Sequence, residues 1–131
     1  MSPAFFTDRD LGKRFPEILE AAGLSVERHC DLFPPDGSDE QWLEYVGRRG
    51  LVAITHDGRI RYKPNELAAV RRHGVALLVV IGKAPIPVLA QSFVATMPRI
   101  EAFLARHTSP FIAKVYRASV GPGSVSLWYP Q

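Results

Sequence analysis

Four aspartates carry the pattern with the most chemical content. Asp8 follows the apolar run Ala4-Phe5-Phe6-Thr7, and Asp10 stands two residues beyond it. Asp57 follows a second apolar run, Leu51 to Thr55, while Asp39 opens a segment of helical periodicity with Glu40 beside it. Carboxylates brought to one place repel each other and raise each other's pKa unless a cation lies between them. Ligand sets made only of oxygen favour hard ions such as magnesium or manganese over zinc. Metal-assisted phosphoryl transfer or phosphodiester hydrolysis is the matching chemistry. Arg9, Lys13, Arg14, Arg59, Arg61 and Lys63 lie around these acids in sequence and supply positive charge for phosphates.

Such acids act together only if the fold brings them to one edge. Apolar runs alternate with segments of three- and four-residue spacing, which predicts strands alternating with helices. The expected strands are Ala4 to Thr7, Leu24 to His29, Leu51 to Thr55, Val75 to Ile81, Phe111 to Arg117 and Ser124 to Trp128. Expected helices are Leu11 to Ala22, Ser38 to about Gly47, Pro64 or Asn65 to His73, and Val88 to His107. Pro98 either kinks the last of these or restarts it as a second helix. Ser38 and Gln41 have the spacing of a capping box. Val75 to Ile81 is apolar throughout, as a central strand covered on both faces must be. The resulting expectation is an α/β fold, a three-layer α/β/α arrangement with a mainly parallel central sheet.

In such sheets ligands bind at the carboxyl ends of the strands, where Asp8 and Asp57 would both emerge. Helical spacing from Asp39 to Trp42, Leu43 and Val46 places Asp39 on the inward face. Glu40, rotated by about 100°, shares the outer side with Glu44.

Composition narrows the possibilities further. A chain of 131 residues with 47% hydrophobic and 22% charged residues fits one globular domain, residues 1–131. The net charge of +3 conceals two unlike halves. Residues 1–66 hold 12 of the 13 acids and 9 of the 16 bases, whereas residues 67–131 hold only Glu101 against 7 bases. Metal chemistry therefore belongs in the first half. A single cysteine, Cys30, excludes an internal disulfide and a thiolate zinc site. No basic segment followed by a long apolar run opens the chain, and no apolar run approaches the roughly 20 residues that span a bilayer. A cytoplasmic protein without a membrane partner is the expectation.

Three segments, Phe5-Phe-Thr-Asp8-Arg-Asp-Leu-Gly12, Ser38-Asp-Glu-Gln-Trp-Leu43 and Ile54-Thr-His-Asp57-Gly-Arg-Ile60, resemble the PIN-like domains, specifically the VapC-type toxins. The resemblance covers residues 4 to about 82. It implies a magnesium- or manganese-dependent endoribonuclease that acts on RNA and is held inactive by a cognate antitoxin. On this resemblance Asp8, Asp39 and Asp57 bind metal, and Asp10 and Glu40 are their catalytic neighbours. Thr55 would orient a carboxylate or a water, and joins Arg9, Arg59, Arg61 and Lys63 as a substrate-binding candidate. Longer PIN domains carry a further acid after the Thr-x-Asp, for which only Glu66 is available here.

Two other readings compete. A phosphorylatable receiver domain also has paired acids after its first strand and an acceptor after its third, here Asp57. However, Val75 to Ile81 does not end in a small hydroxyl residue, and no lysine-proline pair follows a fifth strand. A catalytically silent PIN-like binding domain would share the fold without the activity. The late strands and the basic second half would suit docking of a partner or homodimerisation.

Overall fold

Phe5 and Phe6 are adjacent, and both are completely buried. Successive strand residues face opposite sides, so their strand must be covered on both faces. A computed structural model describes residues 3–130; residues 1, 2 and 131 of the expected domain lie outside the described part. Six strands form one sheet: β1 (Ala4–Thr7), β2 (Ser25–Arg28), β3 (Val52–Thr55), β4 (Ala76–Ile81), β5 (Phe111–Tyr116) and β6 (Ser124–Tyr129). Their order is β2-β1-β3-β4-β5-β6, parallel throughout except for antiparallel β6 at the edge.

Six helices cover it: α1 (Arg14–Ala21), α2 (His29–Leu32), α3 (Asp39–Arg49), α4 (Pro64–His73), α5 (Ile86–Ala95) and α6 (Met97–Arg106). Phe5, Ile54 and Leu78 point into a core shared with Phe15, Leu19, Phe93 and Ile100 of α1, α5 and α6. Phe6, Ala53 and Leu77 point the other way, into a core with Trp42, Val46 and Val70 of α3 and α4. Each fully buried aromatic or aliphatic side chain contributes about 1.5–3 kcal/mol. The two cores together make the three-layer α/β/α architecture, as expected.

Several boundaries differ from the sequence reading. The first helix does not begin at Leu11. Instead Arg9–Leu11 form a single 3-10 turn, and Gly12 at φ +68° breaks the chain before α1 starts at Arg14. His29 leaves the second strand to open the short helix α2. Ser38 stands at the N-cap of α3, but its side chain makes no capping bond among the described residues. The helix also runs through Gly47 to Arg49. Gly47 serves a close approach: a Cβ there would lie 2.2 Å from the His73 carbonyl oxygen of α4. Of the two outcomes open at Pro98, the restart is observed. Thr96 separates α5 from α6, donating its hydroxyl to Ser92 O at 2.6 Å and accepting from Gly123 N–H at 2.9 Å.

Candidate active site

β1 and β3 are parallel neighbours, so the residues beyond them leave the sheet at the same edge. The ladder extends one rung further, with Asp8 N–H donating to Ile54 O at 2.9 Å. This rung brings Asp8 beside Thr55, the last residue of β3. Thr55 donates its hydroxyl to Asp8 Oδ2 at 2.8 Å and lies 3.3 Å from Asp10 Oδ2. The same oxygen accepts from Asp57 N–H at 3.1 Å. One fully buried hydroxyl thus ties together the positions of three aspartates.

The remaining contacts shape a cleft of about 530 Å³ lined by Asp8, Arg9, Asp10, Asp39, His56, Asp57, Gly58, Arg59 and Lys63. Asp8 caps the 3-10 turn through Arg9 N–H at 2.7 Å. Asp10 instead turns towards β3 and accepts from His56 N–H at 3.2 Å. His56 Nε2 lies 3.0 Å from the Gly82 carbonyl oxygen, which tethers the wall of the cleft to the end of β4. A carbonyl oxygen only accepts, so this ring nitrogen carries the proton. Asp39 at the start of α3 is held by Trp42 Nε1–H at 3.0 Å. Trp42 itself is buried and stacked on Phe6 with ring centroids 5.4 Å apart.

The electrostatics of the acids divide in two. Asp8 is 6% exposed, and burial, reinforced by the Asp10 charge, pushes its carboxyl up to about 7. Asp10 is open to solvent, but desolvation by the surrounding protein outweighs its bond from His56 N–H and raises it too. Asp57 goes the other way. Its partial burial favours the neutral form, but the Lys63 ammonium at 2.7 Å and the Arg59 N–H at 3.0 Å hold it below the ordinary carboxylate range. Lys63 Nζ also lies 3.8 Å from Asp39 Oδ2, so it bridges two acids of the cleft.

Donor chemistry fits a hard divalent cation: four carboxylates share one cleft, and burial disfavours the charged form of two of them. Their spacing is less complete. Among the described residues no three acids, histidines or cysteines are grouped closely enough to hold an ion as they stand. Lys63 occupies the cationic place between Asp57 and Asp39.

The structure therefore brings together Asp8, Asp10, Asp39 and Asp57, with Arg9, Arg59 and Lys63. Three other candidates lie elsewhere. Glu40 is exposed on a separate groove with Ser38, Gln41, Glu44, Ala69, Arg72 and His73, because one helical step turns it away from Asp39. Arg61 leaves the cleft and lies over the Tyr129 ring at 4.8 Å. Thr55 is fully buried beneath the floor of the cleft, with its hydroxyl turned to Asp8. Sequence reasoning misses two contributors. It uses Trp42 only to set the facing of Asp39, although the same spacing of three carries the signal for their hydrogen bond. His56 adjoins Asp57 in sequence, but nothing local points to its contact with Gly82.

A family model described as PIN like domain matches residues 3–82. No curated protein and no solved structure matches the chain. Among the described residues no helix is long and apolar enough to cross a membrane.

Proposed function

The chain belongs to the PIN-like domain family, a family of nucleases, and on that premise we propose that it is a magnesium- or manganese-dependent endoribonuclease, the toxin of a toxin–antitoxin pair. The observation that carries this reading is the convergence of Asp8 and Asp10 on the Thr55 hydroxyl, which donates to Asp8 and lies 3.3 Å from Asp10 Oδ2. Burying a carboxylate costs folding free energy unless a cation or proton neutralises it. A pair kept at strand ends, in a cleft that also holds Asp39 and Asp57, is suited to a divalent ion.

Asp8 and Asp10 would hold that ion together with Asp39 and Asp57. When bound, a divalent ion neutralises phosphate charge and lowers the pKa of a water. The chain's own residues do the rest. Thr55 keeps the Asp8 and Asp10 carboxylates oriented. Arg9 and Arg59, both exposed at the mouth, receive the phosphates flanking the cleavage point. Hydrolysis adds water to phosphorus as the bond to the 3′-oxygen breaks, and that oxygen leaves with a proton. The reading also implies action in the cytoplasm and a cognate antitoxin that holds the enzyme inactive, with the late strands and basic second half as the surface for a partner or a second copy.

One observation favours a second reading, a silent binding domain: the Lys63 ammonium stands where a metal would be shared by Asp57 and Asp39. The receiver reading has no such support, and family membership argues against it. Incubating the protein with single-stranded RNA and manganese separates the two. Cleavage that disappears in Asp8→Asn and Asp57→Asn supports the nuclease. No cleavage and no manganese binding by calorimetry supports the silent domain, and metal-dependent cleavage persisting in both variants overturns the site.

A further inference from the structure

Beyond the cleft, one chain of side chains alternates rings and cations. Arg61 lies over Tyr129 at 4.8 Å and 5.7 Å from the Tyr62 ring. Tyr62 meets the Trp128 ring edge-on at 5.7 Å, and Lys114 Nζ sits 4.2 Å from the Trp128 centroid. Tyr62 is 71% exposed, a high value for a ring this size. Neither Arg61 nor Lys114 joins an ion pair among the described residues. Arg61 Nε is buried with no acceptor among them. From Phe111 to the end the sequence contains no Asp or Glu, so no acid of β5 or β6 neutralises these cations.

Strand register joins this surface to the cleft. Thr55 of β3 pairs with Val79 of β4, which pairs with Lys114 of β5. Each stands two positions beyond Ala53, Leu77 or Ile112, whose side chains enter the core beneath α3 and α4. A step of two returns to the same face, so Thr55 and Lys114 are in one row on that side of the sheet. Two strand spacings separate them, about 10 Å. Tyr62 is also the immediate neighbour of Lys63, whose ammonium contacts Asp57.

We propose that Tyr62, Trp128 and Lys114, backed by Arg61 and Tyr129, form a platform that binds single-stranded RNA leading into the cleft. An open ring stacks on any base, and interleaved cations track the backbone. The lack of any acid on β5 and β6 and the continuity with the cleft favour this polyanion over a protein partner. The inference relies on the nuclease reading only for RNA as the strand.

Fluorescence anisotropy with a labelled single-stranded oligoribonucleotide in EDTA measures binding without hydrolysis. Tyr62→Ala should weaken binding about 5- to 100-fold, and Tyr62→Phe should restore it. Lys114→Gln should reduce the slope of log affinity against log salt by about 0.7, whereas Tyr62→Ala leaves the slope unchanged. Because Tyr62 is open to solvent, its variants should melt as the wild type does. Wild-type affinity in both Tyr62→Ala and Lys114→Gln overturns the platform, even if the protein cleaves RNA. Loss of self-association in these variants with RNA affinity intact assigns the face to a protein contact and overturns it equally. RNA binding lost in the variants, in a wild type that never cleaves, supports the platform and defeats the nuclease reading.

Discussion

The Thr55 hydroxyl reaches Asp8 Oδ2 at 2.8 Å across a sequence separation of 47 residues, joining the ends of two adjacent parallel strands. The same oxygen accepts from Asp57 N–H and stands 3.3 Å from Asp10 Oδ2. A hydroxyl has only one hydrogen to donate, so the shorter contact to Asp8 takes it. Thr55→Val keeps the side-chain shape and removes all three interactions. We expect a loss of about 1–3 kcal/mol in stability by denaturant titration. RNA cleavage should fall about 10- to 100-fold, as for other groups that orient metal ligands. Unchanged cleavage would remove Thr55 from the site.

Asp8→Asn separates folding from function. Its carboxyl is raised from 3.8 to about 7 because burial disfavours the charge. At pH 8 the metal-free protein therefore carries an unfavourable buried anion that asparagine lacks. The variant should melt roughly 3–8 °C higher in EDTA, yet should lose cleavage and any stabilisation by manganese. A lower melting temperature in EDTA would show that the charge is compensated by another route.

The pH dependence has a definite sign. Between about pH 4 and pH 7 the folded state keeps a proton on Asp8 that the unfolded chain has lost. Stability of the metal-free protein from this group should fall as pH rises through that window and level off above it. Asp10 acts in the same direction. Asp57 acts oppositely, its contribution present above the unfolded pKa and lost as pH falls below it. Chemical denaturation at several pH values in EDTA, compared with Asp8→Asn, isolates the Asp8 component. A wild type and variant with parallel profiles would contradict it.

Lys63→Met tests the ammonium between Asp57 and Asp39. Without it both acids lose their shared cation, so the metal-free protein should be less stable at neutral pH. Manganese should then bind about tenfold more tightly, since one competing positive charge has gone from beside the site. Thermal shifts across a manganese titration measure both effects. Weaker manganese binding in the variant would place the ion away from these two acids.

Gly47→Ala probes how α3 is seated. A methyl group there would meet the His73 carbonyl oxygen at 2.2 Å, so α3 and α4 must separate. The expected cost is about 1–3 kcal/mol, as for other overpacked contacts. Because α3 carries Asp39, manganese affinity should fall as well. Destabilisation with unchanged manganese affinity would show that Asp39 does not share in the ion.

Local chemistry in the sequence was enough for the sheet and for the placement of Asp8 and Asp57. Apolar runs of four to seven residues specify strands, an aspartate just past such a run marks a carboxyl end, and the alternation with helices specifies parallel neighbours. Asp39 and Glu40 were separable by the 100° step of a helix alone. Boundaries set by close approach were not legible, because a glycine reads as a helix stop until the opposing carbonyl is known, as at Gly47. Nor could sequence say which partner each charge would find. Lys63 and Arg61 are two residues apart and alike in charge, yet one bridges two acids of the cleft and the other lies against Tyr129. Asp10 lies just past the first strand, yet it accepts from His56 N–H, 46 residues further along the chain. Strand and helix formation depends on neighbours a few residues away, and the sequence states those directly. The partners of a side chain depend on which distant elements the sheet order places beside it, and only the tertiary structure decides that.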